Sequence, residues 1–286
     1  MRRCREAAAG GLLVLLLAAG CRTDEAGTSG GSSRPGGTPG CRPGVQATAL
    51  RGVRRDIQVG SEMRSYLLDV PAGPTDEPRP VVLAFHGFRG AAGALRRWTG
   101  LGRAALRAGA IAAFPEGYDG VELRGFTGRG WNLEPPGQTR DVAFVRALLD
   151  ALEREWCVDR RRVYATGMSN GGFFANLLGC ELGDRLAGIA AVAGSKPLAG
   201  CTDARVLPVL LIHGGRDRVV DPALARGAAE WWRTTNGCTG TRREQHCTIG
   251  VGCRADVTYC EAGQGHIWPR PATRRIMTFF ELHARP

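Results

Sequence analysis

The sequence has almost no lysine: Lys196 is the only one among 38 basic residues, and the rest are arginines. A formal net charge of +11 would favour contact with anionic surfaces or acidic polymers. However, no arginine cluster is interleaved with aromatic side chains on one element, as a nucleic-acid site would require. The charge therefore indicates a compositional bias towards arginine, and we expect no nucleic-acid partner.

No hydrophobic run is long enough to span a bilayer. The apolar run Gly11–Ala19 follows three arginines, which is typical of a secretory leader. It leads to Cys21 and resembles a bacterial lipobox, except that Ala18 stands where leucine is usual. We predict a lipoprotein-type signal peptide over residues 1–20, with Cys21 lipidated and the protein anchored to the bacterial cell envelope. A plain secretory signal is the alternative, and both interpretations predict export.

No C-x-x-C pair occurs among the ten cysteines, which argues against a zinc site. Cys4 belongs to the leader and Cys21 is the lipidation candidate, so an even number remains in the exported part. Export favours disulfides, and we expect four, although the spacing leaves their pairing open. A zinc site built from His246 and the four C-terminal cysteines is the alternative. The remaining cysteines are Cys41, Cys157, Cys180, Cys201, Cys238, Cys247, Cys253 and Cys260.

Two segments with different compositions follow the leader. Residues 21–40 are rich in Gly, Ser, Thr and Pro without an apolar period, which predicts a flexible tether. Residues 41–286 contain no repeat and have the length of a single catalytic domain. Their strands alternate with helices, and the wholly apolar Val81–Phe85 is typical of a central parallel strand covered on both faces. We therefore predict the α/β class, with a doubly wound, mostly parallel sheet and helices on both faces.

The spacing of apolar residues predicts the individual helices. The clearest runs from Asp141 to Trp156, and the helix from Pro222 to Thr235 opens with Asp221 as its N-cap. Pro115 to Gln138 is predicted to be a long loop, of the kind that is usually functional or disordered. The other predicted helices are Ala94–Ala108 and Ala272–His283.

The pentapeptide Gly167–Gly171 has the pattern G-x-S-x-G, with Ser169 at its centre. The strand Arg162–Thr166 precedes it and helical spacing follows, which is the context of a nucleophile elbow. The glycines are needed because a Cβ two residues to either side would prevent the sharp turn from closing. Ser169 is therefore the predicted nucleophile, and the backbone N–H of Asn170 is a predicted oxyanion donor.

A serine nucleophile needs a base to take its proton and a carboxylate to orient that base. After a nucleophile elbow, these groups follow in the order Asp and then His. Asp217 follows an apolar strand and is the predicted acid, with Asp221 as the alternative. His266 lies in a glycine-flanked loop after the last strand, and it alone fits the third place, so it is the predicted base. The other histidines do not fit this order: His86, His213, His246 and His283.

The second oxyanion donor is expected in the loop after the first central strand, His86–Gly90. Its glycines allow the backbone to approach a reacting group closely. We predict that the Phe88 amide is the donor, with the Arg89 amide as the alternative. An ordinary strand-to-helix turn is the other interpretation of this segment.

Six sequence features between about Tyr66 and Phe280 are specific in combination: His86-Gly87-Phe88, Trp131-Asn132, Asp141-Val142-Ala143-Phe144-Val145, the run Val163–Gly172, His213-Gly214 with Asp217, and Gly265-His266-Ile267-Trp268-Pro269. With them, the chain resembles the secreted polyhydroxybutyrate depolymerase and feruloyl esterase family of α/β-hydrolases. The resemblance implies the α/β-hydrolase fold and ester hydrolysis through an acyl-serine. It also implies that no metal and no organic cofactor take part.

The same resemblance bears on the pairing of the cysteines. It implies two disulfides, Cys180–Cys201 and Cys238–Cys260. Extending it to the four cysteines that remain gives two further pairs, Cys41–Cys157 and Cys247–Cys253.

Members of that family act on cinnamoyl esters of plant cell-wall sugars, on acetylated xylan or on polyester. Trp131 and Trp268 are predicted to line an acyl pocket, with core packing as their alternative role. A flat aromatic wall would suit a phenolic acyl group, so we predict an exported serine esterase for feruloyl, cinnamoyl or acetyl esters of plant polysaccharides. The alternatives are a polyhydroxybutyrate depolymerase, a serine peptidase of the same fold, and a non-catalytic, surface-tethered binding protein.

Overall fold

The computed structural model describes residues 38–133, 139–196, 201 and 204–286. The predicted signal peptide, Cys21 and the tether up to residue 37 lie outside these residues. The elements are β1 (Gln46–Ala47), β2 (Leu50–Val59), β3 (Glu62–Val70), β4 (Gly73–Pro74), β5 (Arg79–Phe85), α1 (Ala92–Thr99), α2 (Leu101–Arg107), β6 (Ile111–Pro115), β7 (Tyr118–Leu123), β8 (Phe126–Gly130), α3 (Arg140–Glu155), β9 (Val158–Met168), α4 (Asn170–Glu181), β10 (Gly188–Val192), β11 (Val209–Gly214), α5 (Pro222–Thr235), β12 (Gly240–Glu244), β13 (Cys247–Val251), β14 (Val257–Ala262) and α6 (Ala272–Glu281).

Ten of these strands form one sheet in the order β12-β13-β14-β11-β10-β9-β5-β6-β3-β2. The six strands from β14 to β6 are parallel, and antiparallel strands extend the sheet at both edges. The predicted mostly parallel sheet is therefore confirmed. Because parallel strands all end at the same edge of a sheet, the loops after β5, β9, β11 and β14 meet there.

Alternate residues of β5 pack into two separate cores, one on each face of the sheet. Leu83 and Phe85 join the core that contains residues of α3, α4 and α5. Val82 and Ala84 join the core that contains residues of α1, α2 and α6. Burial on both faces is the reason that this strand is apolar at successive positions, and it confirms that helices cover both faces.

One predicted helix is divided in two. The segment predicted as Ala94–Ala108 forms α1 and α2, which are separated at Gly100. Gly100 has a φ of 67°, a left-handed conformation that ends a helix and that glycine adopts without a steric penalty. The apolar spacing on either side is compatible with one continuous helix, so it does not reveal the break.

The segment predicted as the long loop Pro115–Gln138 contains an antiparallel hairpin of β7 and β8. Its two-residue turn consists of Arg124 and Gly125, with φ values of 51° and 79°. Two positive φ values in a two-residue connection match the right-handed twist of the paired strands. Most side chains of the hairpin are exposed, so its sequence lacks the alternation of apolar and polar residues that would predict strands.

The folded domain includes residues before the predicted boundary at position 41. Thr38 is buried; its hydroxyl donates to the carbonyl oxygen of Trp156 at 2.7 Å and accepts from the Val158 amide at 2.9 Å. The Gly40 amide donates to the carbonyl oxygen of Glu153. Residues 38–40 are therefore part of the domain, and the prediction that the tether extends to residue 40 is wrong at its end.

The described residues form four disulfides, of which two join the predicted partners, Cys41–Cys157 and Cys180–Cys201. The C-terminal cysteines pair differently from the prediction. Cys238 is bonded to Cys253 and Cys247 to Cys260, so the predicted Cys238–Cys260 and Cys247–Cys253 pairs are wrong.

Strand register explains the C-terminal pairing. Cys247 on β13 lies directly opposite Cys260 on β14, and their Cα atoms are 4.0 Å apart. Cys253 follows β13 and lies beside Cys238, with Cα atoms 3.9 Å apart.

None of the helices in the described ranges combines the length and the hydropathy that crossing a bilayer requires.

Candidate active site

Ser169 lies between β9 and α4 with a φ of 55° and a ψ of −123°, a conformation that residues with a side chain rarely adopt. The positions two residues before and after Ser169 are glycines, because neither has space for a side chain. A Cβ on Gly167 would overlap the carbonyl group of Gly171, and a Cβ on Gly171 would overlap the carbonyl oxygen of Phe85. The strand, strained turn and helix of a nucleophile elbow are thus present around Ser169.

Asp217 and His266 are in direct contact. The loop after β11 carries Asp217, and the loop after its neighbour β14 carries His266. Nδ1 of His266 lies 2.7 Å from Oδ2 of Asp217. Asp221, the alternative acid, instead accepts a hydrogen bond from the Ala223 amide and caps α5.

Close backbone contacts hold the acid loop and the base loop together. The amide of Gly215 donates to the carbonyl oxygen of Ala262, and the amide of Arg216 donates to that of Gln264 at 2.9 Å. A Cβ on Gly214 would overlap the carbonyl oxygens of Gln264 and Gly265. Glycine at position 214 is therefore needed for the two loops to approach closely enough for the Asp–His contact.

Hydrogen bonds keep Asp217 ionised although its side chain is fully buried. Oδ1 accepts from the amides of Val219 and Val220 at 2.8 and 2.9 Å. Burial acts to raise the pKa of Asp217, but the bonds from Val220, His266 and Val219 outweigh it, so the pKa lies below its usual range. An ionised Asp217 requires the proton of neutral His266 to sit on Nδ1, which leaves Nε2 free to act as a base.

Ser169 lies at the same edge of the sheet as this pair, since β9, β11 and β14 run parallel. The side chain of His266 is 19% exposed, so a substrate can reach it. Within the described ranges no hydrogen bond joins Ser169 Oγ to His266. Catalytic hydrogen bonds are often long in enzymes without bound substrate and tighten only when substrate binds.

The predicted oxyanion loop approaches the serine. A Cβ on Gly87 would lie 3.4 Å from Cβ of Ser169. The Arg89 amide, the alternative donor, is already bonded to the carbonyl oxygen of Arg129 at 2.6 Å. Among the described residues no acceptor is bonded to the amide of Phe88 or of Asn170, so these two remain the candidate donors.

His86 contacts the predicted oxyanion loop in a way that the sequence did not reveal. Its Nε2 accepts from the Gly117 amide at 2.9 Å, which places the hydrogen of the ring on Nδ1, and it lies 3.3 Å from Oε1 of Glu116. Nδ1 then donates to the carbonyl oxygen of Gly87 at 2.8 Å. His86 therefore fixes the oxyanion loop. The sequence feature that could have drawn attention to His86 was its position directly after a buried strand.

Trp131 does not line a pocket. Its ring is fully buried, stacks on Phe174 at a centroid distance of 5.0 Å and packs edge-on against Phe85. A ring without exposed surface cannot contact a ligand, so the prediction of a substrate-binding role is wrong for Trp131. The alternative role, core packing, is the one that the structure supports.

Trp268 is also largely buried, with 8% of its surface exposed. Its Nε1 donates to Oγ1 of Thr273 at 3.0 Å, and its ring packs edge-on against Trp98. The structure therefore gives no support to an aromatic acyl wall at this position.

In the part of the chain that the structure describes, no group of three or more His, Cys, Asp and Glu is placed to hold a metal ion.

A comparison with solved structures identifies the fold. The chain superimposes on an acetyl xylan esterase from Aspergillus awamori with a TM-score of 0.63 and 14% sequence identity, over 80% of this chain and 99% of that one. The protein thus has the α/β-hydrolase fold, as the sequence motifs predicted. No protein-family model matches the chain.

Sequence relatives are esterases. The chain is 30% identical over 224 residues to feruloyl esterase B of Piromyces equi, covering 68% of this chain and 40% of the relative. It is 36% identical over 186 residues to the putative esterase NocK of Nocardia uniformis, covering 62% and 51%. Feruloyl esterase C of Emericella nidulans is 28% identical over 259 residues, covering 87% and 85%. The chain spans about half or less of the first two relatives, and it is homologous to feruloyl esterases and other esterases.

Proposed function

We propose that the chain is a serine ester hydrolase in which Ser169, His266 and Asp217 form the catalytic triad. The observation that carries the proposal is the 2.7 Å bond between His266 Nδ1 and the buried, ionised Asp217. This pair lies at the sheet edge where the strained elbow presents Ser169. The esterase relatives support the same reaction class.

In the first half of the reaction, Nε2 of His266 takes the hydroxyl proton of Ser169 while Oγ attacks the ester carbonyl carbon. The carbonyl oxygen becomes an oxyanion, which the amides of Phe88 and Asn170 stabilise by hydrogen bonds. The bond to the alcohol oxygen then breaks, and the alcohol leaves with the proton from His266. The acyl group stays bonded to Ser169 Oγ.

In the second half, water takes the place of the serine hydroxyl. His266 removes a proton from water, and the resulting oxygen attacks the acyl carbon. Ser169 leaves with that proton, and the carboxylic acid is released. Asp217 stays ionised throughout, orients His266 and stabilises the imidazolium that forms twice in each cycle.

The proposed substrates are feruloyl, cinnamoyl or acetyl esters of plant polysaccharides. The names of the relatives, feruloyl esterases and an acetyl xylan esterase, support this substrate class. The argument from an aromatic wall no longer contributes, because Trp131 and Trp268 are buried. No observation specifically favours a polyester substrate.

We also propose that the protein is exported and held at the bacterial envelope. The proposed plan is a lipoprotein-type leader over residues 1–20, a lipid on Cys21, and a tether that ends before Thr38. The four disulfides support export to an oxidising compartment. Metabolic labelling with palmitate should label the wild type but not Cys21→Ser. A labelled serine variant, or an unlabelled wild type that is secreted, would exclude the anchor.

An ester panel tests the proposed reaction. The substrates are methyl ferulate, acetylated xylan, short 4-nitrophenyl esters, hydroxybutyrate oligomers and a matched amide, each assayed with wild type and Ser169→Ala. We expect ester hydrolysis that Ser169→Ala lowers by orders of magnitude. Ser61→Ala, at an exposed turn between β2 and β3, is the matched control and should keep full activity.

The outcomes separate the competing functions. Serine-dependent cleavage of feruloyl or acetyl esters supports the proposal. A preference for hydroxybutyrate oligomers would instead indicate a polyester depolymerase, and a preference for the amide would indicate a peptidase. Binding of esters without turnover would indicate a binding protein on a hydrolase scaffold. Equal rates for wild type and Ser169→Ala would disprove the proposed triad.

A further inference from the structure

His213 is buried beside the proposed catalytic acid. It lies near the end of β11, four residues before Asp217, and 2% of its surface is exposed. Its Nε2 lies 3.0 Å from the carbonyl oxygen of Val220 and 3.3 Å from Oδ2 of Asp217. Its Nδ1 is also buried and, within the described ranges, has no hydrogen-bond partner.

These contacts define the tautomer of the ring. A carbonyl oxygen and an ionised carboxylate only accept hydrogen bonds, so Nε2 must carry a hydrogen. A hydrogen on Nδ1 would be a buried donor without an acceptor, which is costly. The neutral imidazole of His213 therefore carries its hydrogen on Nε2.

We infer that His213 is a positioning residue for Asp217: its Nε2–H, bonded to Val220 O and 3.3 Å from Asp217 Oδ2, holds the turn around the carboxylate in the orientation that His266 requires. The inference rests on the proposed function, because it assigns a role within the same triad. His213 acts through Asp217 and does not touch the reacting atoms.

The contacts of the carboxylate explain why a further donor matters. Oδ1 is held by the amides of Val219 and Val220, and Oδ2 is held by His266. Nε2 of His213 donates to the carbonyl group of Val220 and lies 3.3 Å from Oδ2 of Asp217. Through its bond to Val220 it restrains the turn whose amides bind the carboxylate. It also draws negative charge away from the oxygen that faces His266.

Other charged groups nearby have partners of their own. Glu261 lies opposite His213 in the register of β14, and its carboxylate is bonded to Arg226 and to the Tyr259 hydroxyl. The Arg216 guanidinium donates to the carbonyl oxygen of Gly263. In the described part of the chain, Asp217 is the one charged group within ion-pair distance of His213.

Two substitutions at position 213 separate donation from packing. His213→Leu fills the space without a donor, whereas His213→Gln places an amide N–H where Nε2 now lies. For His213→Leu we expect kcat to fall about tenfold, the loss expected when one buried hydrogen bond that orders the turn around Asp217 is removed. The acid limb of the pH profile should move to higher pH, because a more negative Asp217 stabilises protonated His266. His213→Gln should restore both values.

A second histidine–aspartate pair provides the matched control. Nε2 of His283 lies 3.0 Å from Oδ2 of Asp256, which precedes β14, whereas His266 follows that strand. His283→Leu removes this contact at the opposite edge of the sheet and should leave the rate and the pH profile unchanged. A folded His213→Leu with the wild-type profile would overturn the inference. A His213→Gln variant as slow as His213→Leu would do the same.

The wild-type protein offers a test that does not depend on the folding of a variant. In protein labelled with ¹⁵N-histidine, the ring nitrogens of His213 should report a neutral ring with hydrogen on Nε2 at neutral pH. An imidazolium, or hydrogen on Nδ1, would overturn the inference. This measurement uses no ester. It therefore distinguishes failure of the His213 contact from failure of the proposed esterase function, which the Ser169→Ala comparison reports.

Discussion

Trp131 and Asn170 are joined by two hydrogen bonds that run in opposite directions. The Trp131 amide donates to Oδ1 of Asn170 at 2.7 Å, and Nδ2 of Asn170 donates to the carbonyl oxygen of Trp131 at 3.1 Å. The indole Nε1 of Trp131 donates to the carbonyl oxygen of His86 at 2.8 Å. Trp131 thus connects Asn170 with the loop that carries Phe88, the two proposed sources of oxyanion donors.

The first prediction concerns this connection. Trp131→Phe keeps a buried ring but removes the donor to the carbonyl oxygen of His86. We expect kcat on a 4-nitrophenyl ester to fall roughly tenfold with little change in KM, because oxyanion donors act mainly in the transition state. The free energy of unfolding should fall by about 1 kcal/mol for the lost hydrogen bond, and further for the cavity that the smaller ring leaves.

A second buried indole separates the catalytic loss from the structural one. Nε1 of Trp232 donates to Oδ1 of Asn176 at 2.8 Å, away from the oxyanion loop. Trp232→Phe should lose similar stability in urea denaturation and keep its kcat. If both variants lost kcat equally, the connection would have no specific role in catalysis.

The second prediction decides between the two candidate acids. Asp217→Asn should lower kcat by about four orders of magnitude, because the amide no longer holds His266 in the required tautomer. Asp221→Asn should stay near the wild-type rate, since an asparagine side chain also caps a helix. Initial rates on one ester for the two purified variants are sufficient, and the reverse order of activities would exchange the assignments.

The third prediction is a pH dependence of stability. The pKa of Asp217 is lowered in the folded protein, so its ionised form stabilises the fold. This contribution is present above the unfolded value, about 3.9 for an aspartate, and is lost as the pH falls through the lower folded pKa. Wild type should therefore exceed Asp217→Asn in stability by more at pH 6 than at pH 3 in urea denaturation. A constant difference would mean that the pKa of Asp217 is not lowered by folding.

The fourth prediction concerns the C-terminal disulfides. Peptide mapping without reduction should recover the Cys238–Cys253 and Cys247–Cys260 pairs, whereas Cys238–Cys260 peptides would contradict the register of β13 and β14. Replacing both Cys247 and Cys260 by serine should cost about 3 kcal/mol of stability, because their separation of 13 residues closes a short loop.

The disulfide at the other end of the domain provides the comparison. Cys41 and Cys157 are separated by 116 residues, so removing that bond frees a much longer loop of the unfolded chain. On the chain-entropy account its loss should cost more, about 4–5 kcal/mol. Equal losses for the two double variants would argue against loop closure as the source of stability.

Several parts of the site were predictable because their signals are local. The elbow needs glycines two residues to each side of Ser169, and this steric requirement appears directly in the sequence. The central strand Val81–Phe85 is apolar throughout because both of its faces are covered. Asp217 follows an apolar strand and His266 follows the last strand, and parallel strands bring such loops to one edge of the sheet.

Other features depend on segments that are distant in the chain, and only the folded structure decided them. The partner of Cys260 depends on the register between β13 and β14, which places Cys247 opposite it. The burial of Trp131 depends on Phe85 and Phe174, which belong to other elements. A tryptophan in a glycine-rich segment is compatible with a pocket wall or with a core, because its own sequence does not show which surfaces will pack against it. Local sequence determines where a turn, a strand or a nucleophile can form, whereas tertiary packing determines which side chains remain accessible to a substrate.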